Sequence, residues 1–133
     1  LSTGKILVSD KDGNYLIKFS GDVRVNLCGS LNHHMAAIFG STDVQQVVID
    51  MLDAECVDST TLGLIAKLAL HCRKEYNINM QLFCQNPSIL RTLDCMSFDE
   101  IIDICQEVTD IDADLHVIET VNSDIDEVRR QVL

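Results

Sequence analysis

The stretch Val47-Val-Ile-Asp-Met-Leu-Asp-Ala-Glu-Cys-Val-Asp-Ser-Thr-Thr-Leu-Gly-Leu64 changes periodicity part-way along. Its first part is a continuous apolar, largely β-branched run, and the spacing predicts a central strand from Val44 to Leu52, covered on both sides. An acidic loop from Leu52 to Ser59 is expected to follow. Then Asp58-Ser-Thr-Thr61 stands at the first turn of a predicted helix from Thr61 to about Tyr76. Leu62, Ile65, Ala66, Ala69 and Cys72 recur there at helical spacing, and Leu64, Leu68 and Leu70 widen the stripe. A strand feeding a helix start gathers free backbone N–H groups and the positive end of the helix dipole at one place. A hydroxyl at that place is well positioned to carry a phosphate.

Working outward, Ile6–Ser9 and Tyr15–Ser20 read as a hairpin around the turn Lys11-Asp-Gly-Asn14. Gly21-Asp22 marks a turn or strand end. Ser30 is the expected cap of a helix over Leu31–Phe39, with Gly40 as its stop. Downstream, Met80–Cys84 reads as a strand, and Asn86 caps a short helix with Pro87 at its first position. Ile101–Cys105 is a fifth strand. Val108–Thr120 is poorly patterned, and the alternation in Asp110-Ile-Asp-Ala-Asp-Leu115 suggests an extended arm. Asn122 or Ser123 caps an expected last helix through Ile125, Val128 and Val132. The order predicts an α/β fold, a mixed sheet of about five strands with helices packed against it. The 133 residues make one domain, 1–133, with an acidic extension and final helix at 106–133. The first residue is Leu1, so the natural start is expected to lie upstream, and nothing present resembles a leader.

Ten basic residues face 21 acidic ones, a formal charge of −11. Such a surface repels nucleic acid and anionic lipid, so neither is expected as a partner, and it favours basic protein surfaces. Twelve of the 21 acidic residues lie between Arg91 and Arg129, a stretch without Lys or Arg that we read as a solvated face. No run approaches the ~20 apolar residues that span a bilayer. The six cysteines include no C-x-x-C pair and mostly sit in apolar stretches, which predicts reduced core thiols and a cytoplasmic setting. Cys56 is the exception, placed by the sequence in the loop before the hydroxyls.

Motifs for catalysis are missing. His33 and His34 are adjacent and point apart on a helix, while His71 and His116 are remote, so no metal site is expected. No phosphate-cradling glycine loop and no G-x-S-x-G elbow occur, and no histidine is placed to activate Ser59 or Thr60. The sequence predicts no enzyme and no cofactor.

Asp58-Ser-Thr-Thr-Leu-Gly63 after Val47-Val-Ile-Asp50 resembles the signature of the STAS domain, in particular that of bacterial anti-sigma factor antagonists, whose usual motif is Asp-Ser-Ser-Gly-Leu-Gly. Pro87-Ser-Ile-Leu-Arg-Thr-Leu-Asp-Cys-Met-Ser97 is similar to the family's proline-led third helix, which ends near a Met-Ser or Leu-Gly pair. The resemblance covers about residues 6–105. It implies a STAS-like mixed sheet and a phosphoacceptor at Thr60, with Ser59 as the fallback. It maps Asp58 to the acidic residue before the hydroxyl pair and Gly63 to the second glycine. Thr61 replaces the first glycine, which is expected to crowd the surface a partner kinase would meet. Arg24, after Gly21-Asp-Val, is expected to place a basic group near the acceptor.

The resemblance further implies a serine/threonine protein kinase of histidine-kinase-like fold and an opposing metal-dependent serine phosphatase as partners. An anti-sigma factor or response regulator, controlling transcription or biofilm formation, would lie downstream. The expected activity is a phosphorylation-controlled interaction switch whose surface runs from Cys56 to Leu64, including Asp58, Thr61, Leu62 and Gly63. The alternative is a STAS scaffold, or a module sensing a small ligand, that is not phosphorylated.

Overall fold

The computed structural model describes residues 4–23, 28–106 and 123–127. Strand β1 (Lys5–Lys11) turns back into β2 (Asn14–Val23), with Lys11 paired to Asn14 at the tip. Asp12 (φ 51°) and Gly13 (φ 84°) both take the left-handed conformation that such a tight hairpin requires. Gly13 has a second reason to lack a side chain, because a Cβ there would collide with the Asp43 carbonyl.

From β2 onward the chain alternates helix and strand. Helix α1 (Cys28–Phe39) leads to β3 (Gln46–Val57), α2 (Ser59–His71) continues through a π-helical turn (Cys72–Tyr76) to β4 (Gln81–Phe83), and α3 (Pro87–Cys95) precedes a 3₁₀ turn (Phe98–Glu100) and β5 (Asp103–Cys105). Strands β2 to β5 are parallel and lie in sequence order, so right-handed crossovers place all three helices on one face. Leu31, Met35 and Ile38 of α1, Leu62, Ile65 and Leu68 of α2, and Ile89 and Leu93 of α3 bury into one core with Val47, Ile49 and Met51 of β3. The alternate residues of the central strands form a smaller cluster, Leu16, Val48 and Phe83, which gives β3 its two apolar faces. Beside that cluster Asp50 is buried, its carboxylate accepting from Leu52 N at 2.9 Å with Lys18 Nζ 4.0 Å away.

The α/β architecture, the hairpin and the mixed sheet agree with expectation, most element ends shift by a few residues, and four differences change the reading. Strand β3 runs to Val57, because Asp53 and Glu55 point to solvent while Ala54 stays buried, so the expected acidic loop is strand and only Asp58 separates β3 from α2. Strand β2 likewise continues past Gly21, whose φ of 74° absorbs a register irregularity beside it. Helix α1 begins at Cys28, so Ser30 lies within its first turn rather than capping it. The expected final helix is replaced over Ser123–Glu127 by β6, which pairs antiparallel with β1 and completes the order β5-β4-β3-β2-β1-β6. Without it β1 would present an open row of N–H and C=O groups, and that demand outweighs the weak helical spacing of Ile125, Val128 and Val132. The expected arm at 108–120 lies outside the described residues.

Candidate functional site

Strands β2 and β3 end side by side, with Asp22 opposite Cys56 and Val23 opposite Val57. Asp58 alone then turns the chain into α2. Its backbone is extended (φ −97°, ψ 169°), its Oδ1 accepts from Thr61 N at 2.9 Å and its carbonyl accepts from Leu62 N at 3.1 Å. Asp58 is therefore the N-cap, and a carboxylate there also complements the helix dipole. Of the first four helical N–H groups, those of Ser59 and Thr60 remain for solvent or for an anion.

The three hydroxyls separate. Ser59 and Thr60 are exposed in the first turn, and neither side chain makes a hydrogen bond among the described residues. Thr61 is fully buried. Its methyl and hydroxyl face inward, which corrects the expectation that a side chain at this position crowds the outer surface. Leu62 is also fully buried and belongs to the core, so it offers no side chain to a partner. Gly63 is exposed, and a Cβ built there would meet nothing within 4 Å. A glycine inside a helix is less favourable than alanine by about 1 kcal/mol, and no internal contact requires it here.

Cys56 lies in β3 and not in a loop, half-buried, its thiol donating to Asp22 Oδ1 at 2.9 Å. Nothing in the sequence singles out Asp22 except its place at the end of a strand that comes to lie beside β3. Arg24 lies outside the described residues. The start of α3 comes to the same end of the sheet: Asn86 caps it by accepting from Ser88 N at 2.9 Å and donates to Glu55 O at 3.1 Å. Helix α3 ends at Cys95, and Ser97 follows with a left-handed backbone (φ 58°). That conformation suits glycine best, which explains why the pattern it resembles admits a Leu-Gly pair here.

Two strand ends, a capped helix start with two exposed hydroxyls, and a proline-led third helix thus converge in the order the motif requires. The family model described as the STAS domain matches residues 5–111. The chain belongs to the STAS domain family. Among solved structures, an anti-sigma factor antagonist from Mycobacterium paratuberculosis superposes with a TM-score of 0.67 at 20% identity, over 86% of this chain and 92% of that one. SpoIIAA in its unphosphorylated form superposes with a TM-score of 0.64 at 11% identity, over 81% of this chain and 93% of that one. The Bacillus cell fate determinant SpoIIAA in its phosphorylated form gives the same score and identity, over 81% of this chain and 97% of that one. At these identities the likeness is one of fold, an anti-sigma factor antagonist-like STAS fold. Comparison with curated proteins finds no match.

Among the described residues no group of three or more His, Cys, Asp or Glu side chains is arranged to hold a metal ion. No helix among them is long and apolar enough to cross a membrane.

Proposed function

We propose that this STAS domain is a protein-interaction switch set by phosphorylation at Thr60, with Ser59 as the second acceptor. The observation that carries the reading is that Asp58 occupies the cap, leaving two exposed hydroxyls at the helix start with no structural task. Gly63, one turn on, keeps the adjacent surface bare with no internal reason to do so. A serine/threonine kinase of histidine-kinase-like fold would transfer the terminal phosphoryl group of ATP to Thr60 Oγ1, releasing ADP and the hydroxyl proton. A metal-dependent serine phosphatase would reverse the mark by hydrolysis.

The phosphate adds roughly 1.5 to 2 negative charges at neutral pH. The dipole and the N–H groups of Ser59 and Thr60 tolerate that charge, so the fold survives. A partner packed against a neutral hydroxyl and bare Gly63 loses contact through desolvation and repulsion. The partner surface comprises Ser59, Thr60, Gly63 and the edge formed by Cys56, Asp58 and Asp22, while Thr61 and Leu62 hold it from beneath. The role is regulatory rather than enzymatic, in the cytoplasm, with an anti-sigma factor or response regulator downstream.

The decisive experiment compares wild type, Thr60→Ala, Ser59→Ala and Thr60→Glu for binding to the cognate kinase, with phosphopeptide mass spectrometry of protein from its native cells. Thr60→Glu is expected to weaken binding by about tenfold or more while Thr60→Ala binds but accepts no phosphate. Equal binding by all four, with no phosphate on residues 59–61 under any growth condition, would leave a scaffold.

A further inference from the structure

At the other end of α2, about 16 Å along the helix axis from Thr60, lies a second concave site. It is an open cleft of about 420 Å³ lined by Phe39, His71, Glu75 and Tyr76 and by the chain from Gly40 to Thr42. That volume falls within the range of small-molecule sites. Helix α2 widens there into the π-helical turn Cys72–Tyr76, a feature frequent at functional sites. The wider turn places Tyr76 so that its hydroxyl lies 2.6 Å from the carbonyl oxygens of both Ile38 and Ser41, holding the carboxyl end of α1 against it. His71 meets Phe39 edge-on at 4.6 Å between centroids and Tyr76 at 5.4 Å. Its Nε2 is buried with no hydrogen-bond partner, an uncompensated polar atom in the wall of the cleft.

Among the residues that line the cleft the electrostatic features favour one sign, and Lys67, which approaches the Phe39 ring, is not one of them. Aromatic faces are negative, the carboxyl end of α1 carries the negative end of its dipole, and Glu75 is the one formally charged lining residue. The Phe39 ring already attracts a cation, with Lys67 Nζ 5.7 Å from its centroid. The formal charge of −11 adds a field that repels anions. We propose that the Phe39–His71–Tyr76 cleft binds a small organic ammonium ion, its apolar body against the rings and its charge toward Glu75. The proposal does not rest on phosphorylation at Thr60.

The test uses amide and imidazole NMR spectra of the whole chain, titrated with benzylammonium, neutral benzyl alcohol and anionic benzoate. Benzylammonium is expected to shift the Gly40, Ser41 and Thr42 amides and the His71 ring saturably, and benzyl alcohol to bind about tenfold more weakly. Glu75 is exposed, so Glu75→Gln leaves the fold intact and should weaken benzylammonium severalfold without altering benzyl alcohol. Unsaturable shifts, equal response to the alcohol, preference for benzoate, or an unchanged affinity in Glu75→Gln would each overturn the proposal. Thr60→Glu is the control, expected to leave the titration unchanged whatever it does to kinase binding.

Discussion

The two ends of α2 are made in opposite ways. At the amino end the start of the helix itself is made locally: Asp58 caps Thr61 three residues away, and two hydroxyls face solvent. At the carboxyl end the helix widens, and Tyr76 reaches carbonyls 38 and 35 residues earlier in the chain. The first end is free to change its charge because little depends on it. The second ties α1 to α2 and is stiffened by aromatic packing. One helix thus carries a surface suited to modification and a cleft suited to a stable shape.

The largest effect expected from this contrast is alkaline and belongs to the carboxyl end. Burial raises the Cys72 thiol from 9.0 to about 11. Unfolded chains release that proton from about pH 9, while the folded chain holds it until about pH 11. The unfolded state therefore binds fewer protons across that window, and stability falls as pH rises through it, by at most about 3 kcal/mol in all. Below pH 9 this thiol contributes no pH dependence. Burial raises the Tyr76 phenol as well, and it acts in the same direction. Denaturation midpoints measured from pH 8 to 11 should fall for wild type and fall less steeply for Cys72→Ala, where Tyr76 and the Cys84 thiol, also raised by burial, still titrate. An equal slope in both would mean that the thiol is not held neutral by the core.

Next in size is Tyr76→Phe. Removing the hydroxyl takes a donor from the Ser41 carbonyl, while the Ile38 carbonyl keeps its bond from Ser41 N, a cost of about 1.5 kcal/mol. Urea denaturation measures it, and a cost below half that would show water replacing the hydroxyl freely.

The same contrast explains what could be read from the chain. The strand–cap–helix passage from Val47 to Leu64 was legible because each signal acts within a few residues, as were the Asn86 cap and Pro87 start of α3. Gly21 misled: glycine read as a stop, whereas β2 absorbs it as an irregularity because β3 alongside continues the pairing. The acidic residues Asp53 and Glu55 misled similarly, their polarity hiding an alternation centred on Ala54. Strand β6 was missed because its cause is the open edge of β1, more than a hundred residues earlier. The aromatic cleft had no sequence signal at all, since Phe39 and His71 meet only once α1 and α2 pack. Thr61 was legible as a departure from the family motif, but its direction was not: only the helix phase set by Asp58 turns it inward.

At the amino end, Asp58→Ala removes the cap and should cost about 1 kcal/mol, with Asp58→Asn recovering most of it. Urea denaturation of the two variants separates the hydrogen bond to Thr61 N from the charge. Loss of equal size in both would assign the effect to the carboxylate's interaction with the helix dipole.

The smallest effect is the most telling. Ser59→Ala and Thr60→Ala remove exposed hydroxyls that bond to nothing among the described residues. Each should change stability by less than about 0.5 kcal/mol, the ordinary range of surface substitutions. Alanine is also the better helix former, so a slight gain is as consistent as a slight loss. The same two variants are expected to abolish phosphate acceptance at their own positions. Residues silent in stability yet decisive in modification are reserved for something outside the fold. Should Thr60→Ala instead cost more than about 1 kcal/mol, the hydroxyl would be serving the helix start, as a capping residue does. Its exposure would then no longer argue for a switch, and the amino end of α2 would be built for shape as firmly as the carboxyl end.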